Sequence, residues 1–333
     1  MITREKLEQN QIWIYVSTLV AAAALGLLYP ALMSNLDHQI LISVIIGVLM
    51  FGMFTQIPFT SIKESLGNRR FIFAILTANY IAVPIIVWLL SQLLPQQSPV
   101  LLGVYLVLLT PCIDYVIVFT HLGRGNEKAM LLSTPILFVT QMLLLPAYLW
   151  MFMGNKASDI VNPGPFVEAF LTIIVLPLLL AVVLQLFSRK KRNGAQRLLD
   201  VSAWIPVPLM ALTLFIIVSS QISKLSVYWD TIILVVPIYI AFMFIMPFIS
   251  RLIVKWFGLD IRSGRAVIFS AGTRNSLVVL PLALALPENW STLVAAIIVT
   301  QTIVELVGEL IYIHVIPNVI LRDTAFGENS DKN

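Results

Sequence analysis

The chain has 333 residues, 59% of them hydrophobic and 11% charged, with a mean hydropathy of +0.93 and a formal net charge of +4. That composition excludes a soluble globule and points to a multi-span membrane protein. The positive excess is no nucleic-acid signal, because its placement in the segments between apolar runs explains it.

Taken in chain order, the apolar stretches predict ten membrane helices, at residues 11–33, 38–59, 71–94, 99–122, 129–153, 164–187, 201–222, 229–250, 263–287 and 291–319. Each exceeds the roughly 20 residues needed to cross about 30 Å of hydrocarbon. None alternates with the period of a barrel strand. The expected fold class is an all-α integral membrane protein. Residues 1–10 form a cytoplasmic N-terminus, 11–322 a single membrane domain, and 323–333 a short acidic cytoplasmic tail. Residues 1–10 mix basic and acidic groups and the first apolar run is too long for a signal h-region, so no signal peptide is expected. Cys112 is the only cysteine, so no internal disulfide can form.

Lys and Arg sort between the two sides of these spans. On one side lie 18 of the 21, including Arg69, Arg70, the run Arg189 to Arg192, Arg251, Lys255, Arg262 and Arg265. The opposite loops carry Lys156 and Lys224, and Arg274 falls inside a span. Positive charge marks the cytoplasmic face, so both termini are expected inside a plasma or inner membrane.

The segment Asn155 to Pro165 divides the spans into two sets of five, repeat one at about 11–153 and repeat two at about 164–319. Five is odd, so a second half built like the first inserts upside down. An offset of 160 residues pairs Val139-Thr140-Gln141 with Val299-Thr300-Gln301, Cys112 with Gly272, and Asp114 with Arg274.

Two spans at equivalent positions are interrupted by polar knots: Thr110-Pro111-Cys112-Ile113-Asp114 in span four and Ala271-Gly272-Thr273-Arg274-Asn275-Ser276 in span nine. Lipid offers backbone groups no partner, so such a break survives only inside protein or beside a water-filled cavity. An Asp or Arg near the bilayer centre costs about 2.5–3.5 kcal/mol on insertion scales. Paired interruptions in two halves are the sequence mark of a transport site made from discontinuous helices. Pro111 removes an amide donor and Gly272 frees the backbone; an ordinary proline kink is the alternative. Thr110, Pro111, Cys112, Thr273 and Asn275 are the candidate substrate-binding residues. Asp114 and Arg274 form a candidate ion pair, either coupling or purely structural. As a buried thiol Cys112 is either apolar filler or a transient ligand for a soft solute.

Span ten carries Gln301, Glu305, Gly308, Glu309 and Tyr312 on one helical face. Two carboxyls one turn apart repel, and desolvation disfavours both charges, so a proton relay through Glu305 and Glu309 is expected. Glu305 lies about 6 Å deeper than Glu309 at 1.5 Å per residue and ranks first. The alternative leaves Glu309 at the interface, paired with His314 or a loop cation. Asn79, Gln141 and Asn275 either line the cavity or tie helices together. Two isolated histidines, His121 and His314, make no metal site. No G-x-x-x-x-G-K loop is present, so no nucleotide and no other cofactor is implied.

With these motifs in view, the ten-span plan, Thr110-Pro111-Cys112, the run Ala271 to Pro281 and Glu305 resemble the bile acid/sodium symporter superfamily over roughly residues 11–320. The likeness is greatest to the arsenite permeases of its arsenical-resistance branch. The resemblance implies two inverted five-helix repeats with helices four and nine crossing, roles for Cys112 and Glu305, and export of arsenite, or antimonite, in exchange for protons. Asp114 and Arg274-Asn275-Ser276 depart from that branch's pattern and mark a divergent subgroup. Sodium-coupled uptake of an organic anion, held by Arg274 and half-helix N-termini, is the second reading. A membrane prenyltransferase lacks its paired Asp-rich motif here, and the central charged pair fits a gated carrier better than an open channel.

Overall fold

The computed structural model describes residues 6–7, 10–34, 39–59, 68–113, 115–154, 168, 170–189, 193–225 and 228–322. Asp114, the segment Asn155 to Pro165 and the tail 323–333 lie outside the described residues. The first half runs α1 (Gln11–Leu28), α2 (Pro30–Ser34), α3 (Gln39–Gln56), α4 (Arg69–Thr77), a π-helical turn (Ala78–Ala82), α5 (Val83–Ser91), α6 (Ser98–Leu108), α7 (Val116–Leu122) and α8 (Glu127–Met153). The second runs through a π-helical turn (Phe170–Val175), α9 (Leu176–Arg189), α10 (Asn193–Ser202), α11 (Pro206–Leu225), α12 (Trp229–Trp256), α13 (Ile261–Gly272), α14 (Ser276–Leu284) and α15 (Glu288–Val315), then a last π-helical turn (Ile316–Ile320). Among the described residues there is no strand, as lipid burial of backbone groups requires of an open chain.

Helix is found in each of the ten expected stretches. Among the described residues, four helical stretches are long and apolar enough to cross a membrane unbroken: Arg69–Ser91, Glu127–Met153, Trp229–Trp256 and Trp290–Ile320. A bent pair, Gly194–Ser202 with Pro206–Ser220, makes a fifth if it is one span. Spans four and nine are each split in two, so neither half reaches membrane-crossing length alone.

Three helices start two residues before their expected bounds. Asn68 accepts from Phe71 N at 3.2 Å, Asn126 from Ala129 N at 3.0 Å, and Asp260 from Ser263 N at 3.0 Å. Hydropathy marks the apolar stretch, whereas these side-chain caps satisfy orphan amides and set the true start in a polar first turn.

The chain divides into two compact units. One comprises Met1–Thr60, Asn155–Ile233 and Leu277–Val299. In it α1 packs along α11, closely enough at Gly26 that a Cβ there would meet Ser219 O at 2.5 Å. Gln185 of α9 donates to the carbonyls of Phe54 (3.2 Å), Thr55 (3.2 Å) and Ile57 (2.8 Å), closing the C-terminal end of α3.

The other unit comprises Ser61–Gly154, Leu234–Ser276 and Thr300–Asn333. It holds both polar knots, and α13 packs against α4, α7 and α8 within it. The π-helical turn in span three projects Tyr80, whose hydroxyl donates to Leu137 O, while Tyr148 donates to Tyr80 O at 2.6 Å. Arg265 was expected among the loop cations. It lies instead inside α13 at 1% exposure, donating to Leu321 O (2.8 Å), Pro317 O (3.4 Å) and Arg124 O (3.3 Å). Helix-end carbonyls carry partial negative charge, which is what holds this guanidinium.

Candidate functional site

Helix α6 stops after Leu108 because Pro111 offers no amide and disfavours helix in the residue before it. Helix α13 stops at Gly272, and Thr273 turns extended at φ −90°, ψ 128°. Each end is closed by a threonine hydroxyl turned back on its own helix: Thr110 Oγ1 to Leu106 O at 2.9 Å and Thr273 Oγ1 to Phe269 O at 2.7 Å.

The two breaks satisfy each other. Pro111 and Arg274 form an isolated antiparallel bridge, with Cys112 N donating to Thr273 O at 3.1 Å and Asn275 N to Thr110 O at 2.8 Å. Backbone groups that would be orphaned in hydrocarbon are thereby paired, and proline, which lacks a donor, sits where the bridge needs none from it. Thr110, Pro111, Cys112, Ile113, Thr273, Arg274 and Asn275 are all buried.

Glu305 of α15 fastens this crossing. Its Oε1 accepts from Tyr115 Oη at 2.7 Å, and its Oε2 accepts from Arg274 N at 2.7 Å and Gln301 Nε2 at 2.6 Å. Tyr115 Oη also lies 3.0 Å from Arg274 O. Glu309, one turn on, places Oε1 2.8 Å from Thr273 Oγ1. Both carboxyls are at 0% exposure. The expected polar stripe therefore does face the interior; Tyr312 packs over Gly272 and its hydroxyl donates to Met243 O. The alternative pairing of Glu309 with His314 is replaced by the Thr273 contact, and His314 bonds Leu310 O on the exposed side.

The Arg274 guanidinium is held by neutral groups. Nη2 donates to Asn79 Oδ1 at 2.8 Å and Ser270 O at 2.5 Å, Nη1 to Leu108 O at 3.4 Å, and the group lies 5.7 Å from the Phe242 ring centroid. Asn79 in turn donates to Ser270 Oγ at 2.9 Å and Ile75 O at 3.0 Å. The π-helical turn begins at Ala78, so Asn79 belongs to the local irregularity that often accompanies function. Among the described residues no carboxylate lies within ion-pair reach of this guanidinium, although Glu305 is bound to the same residue's backbone. Asp114, the expected partner, is outside the described residues.

The structure thus gathers Thr110, Pro111, Cys112, Thr273, Arg274, Asn275, Glu305 and Glu309 at one place. Tyr115, Ser270 and Phe242 belong there too and were not singled out from the sequence. Tyr115 directly follows the first knot, and Ser270 stands one turn before Arg274, so adjacency was the available signal.

Buried acids and a base around two crossing broken helices, in an all-helical apolar chain, define a multi-pass membrane protein whose site has the form used by carriers. The family profile described as Sodium Bile acid symporter family matches residues 43–228, and the chain belongs to that family, whose members are transporters and not enzymes. It is similar to the "Uncharacterized sodium-dependent transporter YocS" of Bacillus subtilis, 23% identical over 274 residues, 82% of this chain and 81% of the relative. It is also similar to the "Arsenical-resistance protein Acr3" of Corynebacterium glutamicum, 23% identical over 241 residues, 68% of this chain and 65% of the relative.

Proposed function

We propose that this transporter exports arsenite, and antimonite with it, from the cytoplasm in exchange for protons. The observation that carries the reading is the position of the chain's only thiol: Cys112 sits in the bridge between the two broken helices, whose other strand is held by Glu305. The similarity to the arsenical-resistance relative supports it. Trivalent arsenic is thiophilic. Reversible attack of the Cys112 thiol on As(OH)3 forms one S–As bond and releases one water, built from the thiol proton and a departing hydroxide. A lone thiol binds weakly enough to let go on the other side. Cys112 is fully buried, so cargo reaches it only when the crossing opens to one side at a time.

The architecture in this reading is ten helices in two inverted repeats, with both termini cytoplasmic in the inner or plasma membrane. Its support is that the two compact units draw the same parts from each half: spans one, two, six and seven fall in one unit, and spans three to five and most of eight to ten in the other. Thr110, Pro111, Thr273 and Asn275 shape the cargo site, while Glu305, Glu309, Arg274 and Asp114 couple it to protons.

Replacing Cys112 with serine keeps the size of the side chain and removes the thiol. Arsenite uptake into everted vesicles is then expected to fall at least about tenfold, equivalent to about 1.4 kcal/mol. Undiminished uptake removes the thiol from the mechanism. A second reading, sodium-coupled uptake of an organic anion held by Arg274, is favoured by the sodium-dependent relative and by its greater coverage of the chain. Growth protection on arsenite separates the two.

A further inference from the structure

Glu305 and Glu309 occupy successive turns of α15 and are equally buried, but they are equipped differently. Both oxygens of Glu305 accept hydrogen bonds, from three donors in all. Two of those donors, Tyr115 Oη and Arg274 N, belong to the breaks themselves, so a charged Glu305 is built into the crossing. An acceptor-only carboxylate takes all three donors at once; Tyr115 is the one with a second acceptor in reach, Arg274 O at 3.0 Å.

Glu309 has no such set. Its Oε2 is fully enclosed without a hydrogen-bond partner. Its Oε1 has only Thr273 Oγ1, and that hydroxyl also lies 2.7 Å from Phe269 O. A hydroxyl has one proton and can serve only one of the two oxygens. With a proton on Glu309 both contacts close: Glu309 donates to Thr273 Oγ1, and Thr273 donates to Phe269 O. The charged and titratable groups facing Glu309 are Glu305 and Tyr312 on its own helix and Arg274 from the break. From α12, Met243 receives the Tyr312 hydroxyl and packs at Gly308.

We infer that Glu309 holds the proton exchanged during transport, and that Glu305 stays charged as the fastener of the crossing. The inference rests on the proton-antiport reading and reverses the order in which the two acids rank by depth. On losing its proton Glu309 becomes a carboxylate, and the Thr273 hydroxyl turns from Phe269 O to Glu309 Oε1. Thr273 closes α13, and its carbonyl takes the amide of Cys112. The proton is thereby linked to the backbone of the cargo residue through one side chain.

The test is infrared spectroscopy of the full chain in lipid nanodiscs without cargo, across a pH titration. The C=O stretch of a protonated buried carboxyl is expected in the wild type and in Glu305→Gln, and is expected to vanish in Glu309→Gln. Glu309→Asp, which keeps a carboxyl, should retain a shifted band and guards against a folding defect. In proteoliposomes the flux of Glu309→Gln should become independent of pH, while residual flux of Glu305→Gln keeps the wild-type profile. A band that persists in Glu309→Gln and disappears in Glu305→Gln overturns the assignment, as does a wild-type pH profile in Glu309→Gln. The infrared readout uses no arsenite, so its outcome stands apart from the identity of the cargo.

Discussion

Glu305→Ala is expected to abolish transport and to lower stability in detergent by about 3–5 kcal/mol, the range for removing one partner from a buried charged network. The substitution leaves Arg274 N and Gln301 Nε2 without acceptors inside the protein, each worth about 1–3 kcal/mol when buried and unsatisfied. Tyr115 escapes that fate because Arg274 O lies 3.0 Å from its hydroxyl. Glu305→Gln behaves differently. Its amide oxygen still accepts from Arg274 N and Gln301, and its NH2 donates to Tyr115 Oη, which then donates to Arg274 O. Every buried group keeps a partner, so most of the stability returns. Thermal unfolding of the two variants side by side checks this: equal losses for Ala and Gln contradict a hydrogen-bonded fastener.

Arg265 carries the second large effect, and it lies outside the candidate site. Its guanidinium joins three carbonyls that a shorter or uncharged side chain leaves bare: Leu321 and Pro317 near the end of α15, and Arg124 in the turn after α7, a residue at φ 57°. Arg265→Met is expected to cost about 3–5 kcal/mol, because three carbonyl oxygens lose the same buried cation together. Arg265→Lys recovers little, since a compact ammonium cannot fork to three separated acceptors. Detergent unfolding measures both. If lysine restores wild-type stability, charge alone suffices and the fork does not matter.

The two breaks were legible in the sequence because proline, glycine and charge inside an apolar run have few physical readings in lipid. The inward face of α15 was legible from helical spacing alone. The register of the crossing was not: nothing in the residue pattern sets Pro111 opposite Arg274, since that pairing comes from two helices that meet only in three dimensions. Tyr115 and Ser270 were obscure for a related reason, because a single hydroxyl in an apolar helix more often serves as interhelical glue. Ranking by depth favours Glu305 as the proton site, whereas the proposed assignment to Glu309 rests on hydrogen-bond partners that only the folded structure brings together. Arg265 was expected with the loop cations because positive charge sorts to the segments between spans, whereas it lies within α13 and donates to the carbonyls of Leu321, Pro317 and Arg124, partners that only the fold brings near it.

Helix starts follow the same logic. The polar first turns Arg69-Arg70 and Glu127-Lys128 depress the local hydropathy, so an apolar count begins late, yet Asn68 and Asn126 cap those turns as helix.

The most direct test of the whole account is flux of radiolabelled arsenite into proteoliposomes holding the purified full chain, with pH and sodium gradients imposed separately. The proposed mechanism predicts arsenite movement driven by the pH gradient, unchanged by sodium and reduced at least about tenfold, or about 1.4 kcal/mol, in Cys112→Ser. Absence of arsenite flux under either gradient, together with sodium-driven uptake of an organic anion, would contradict it.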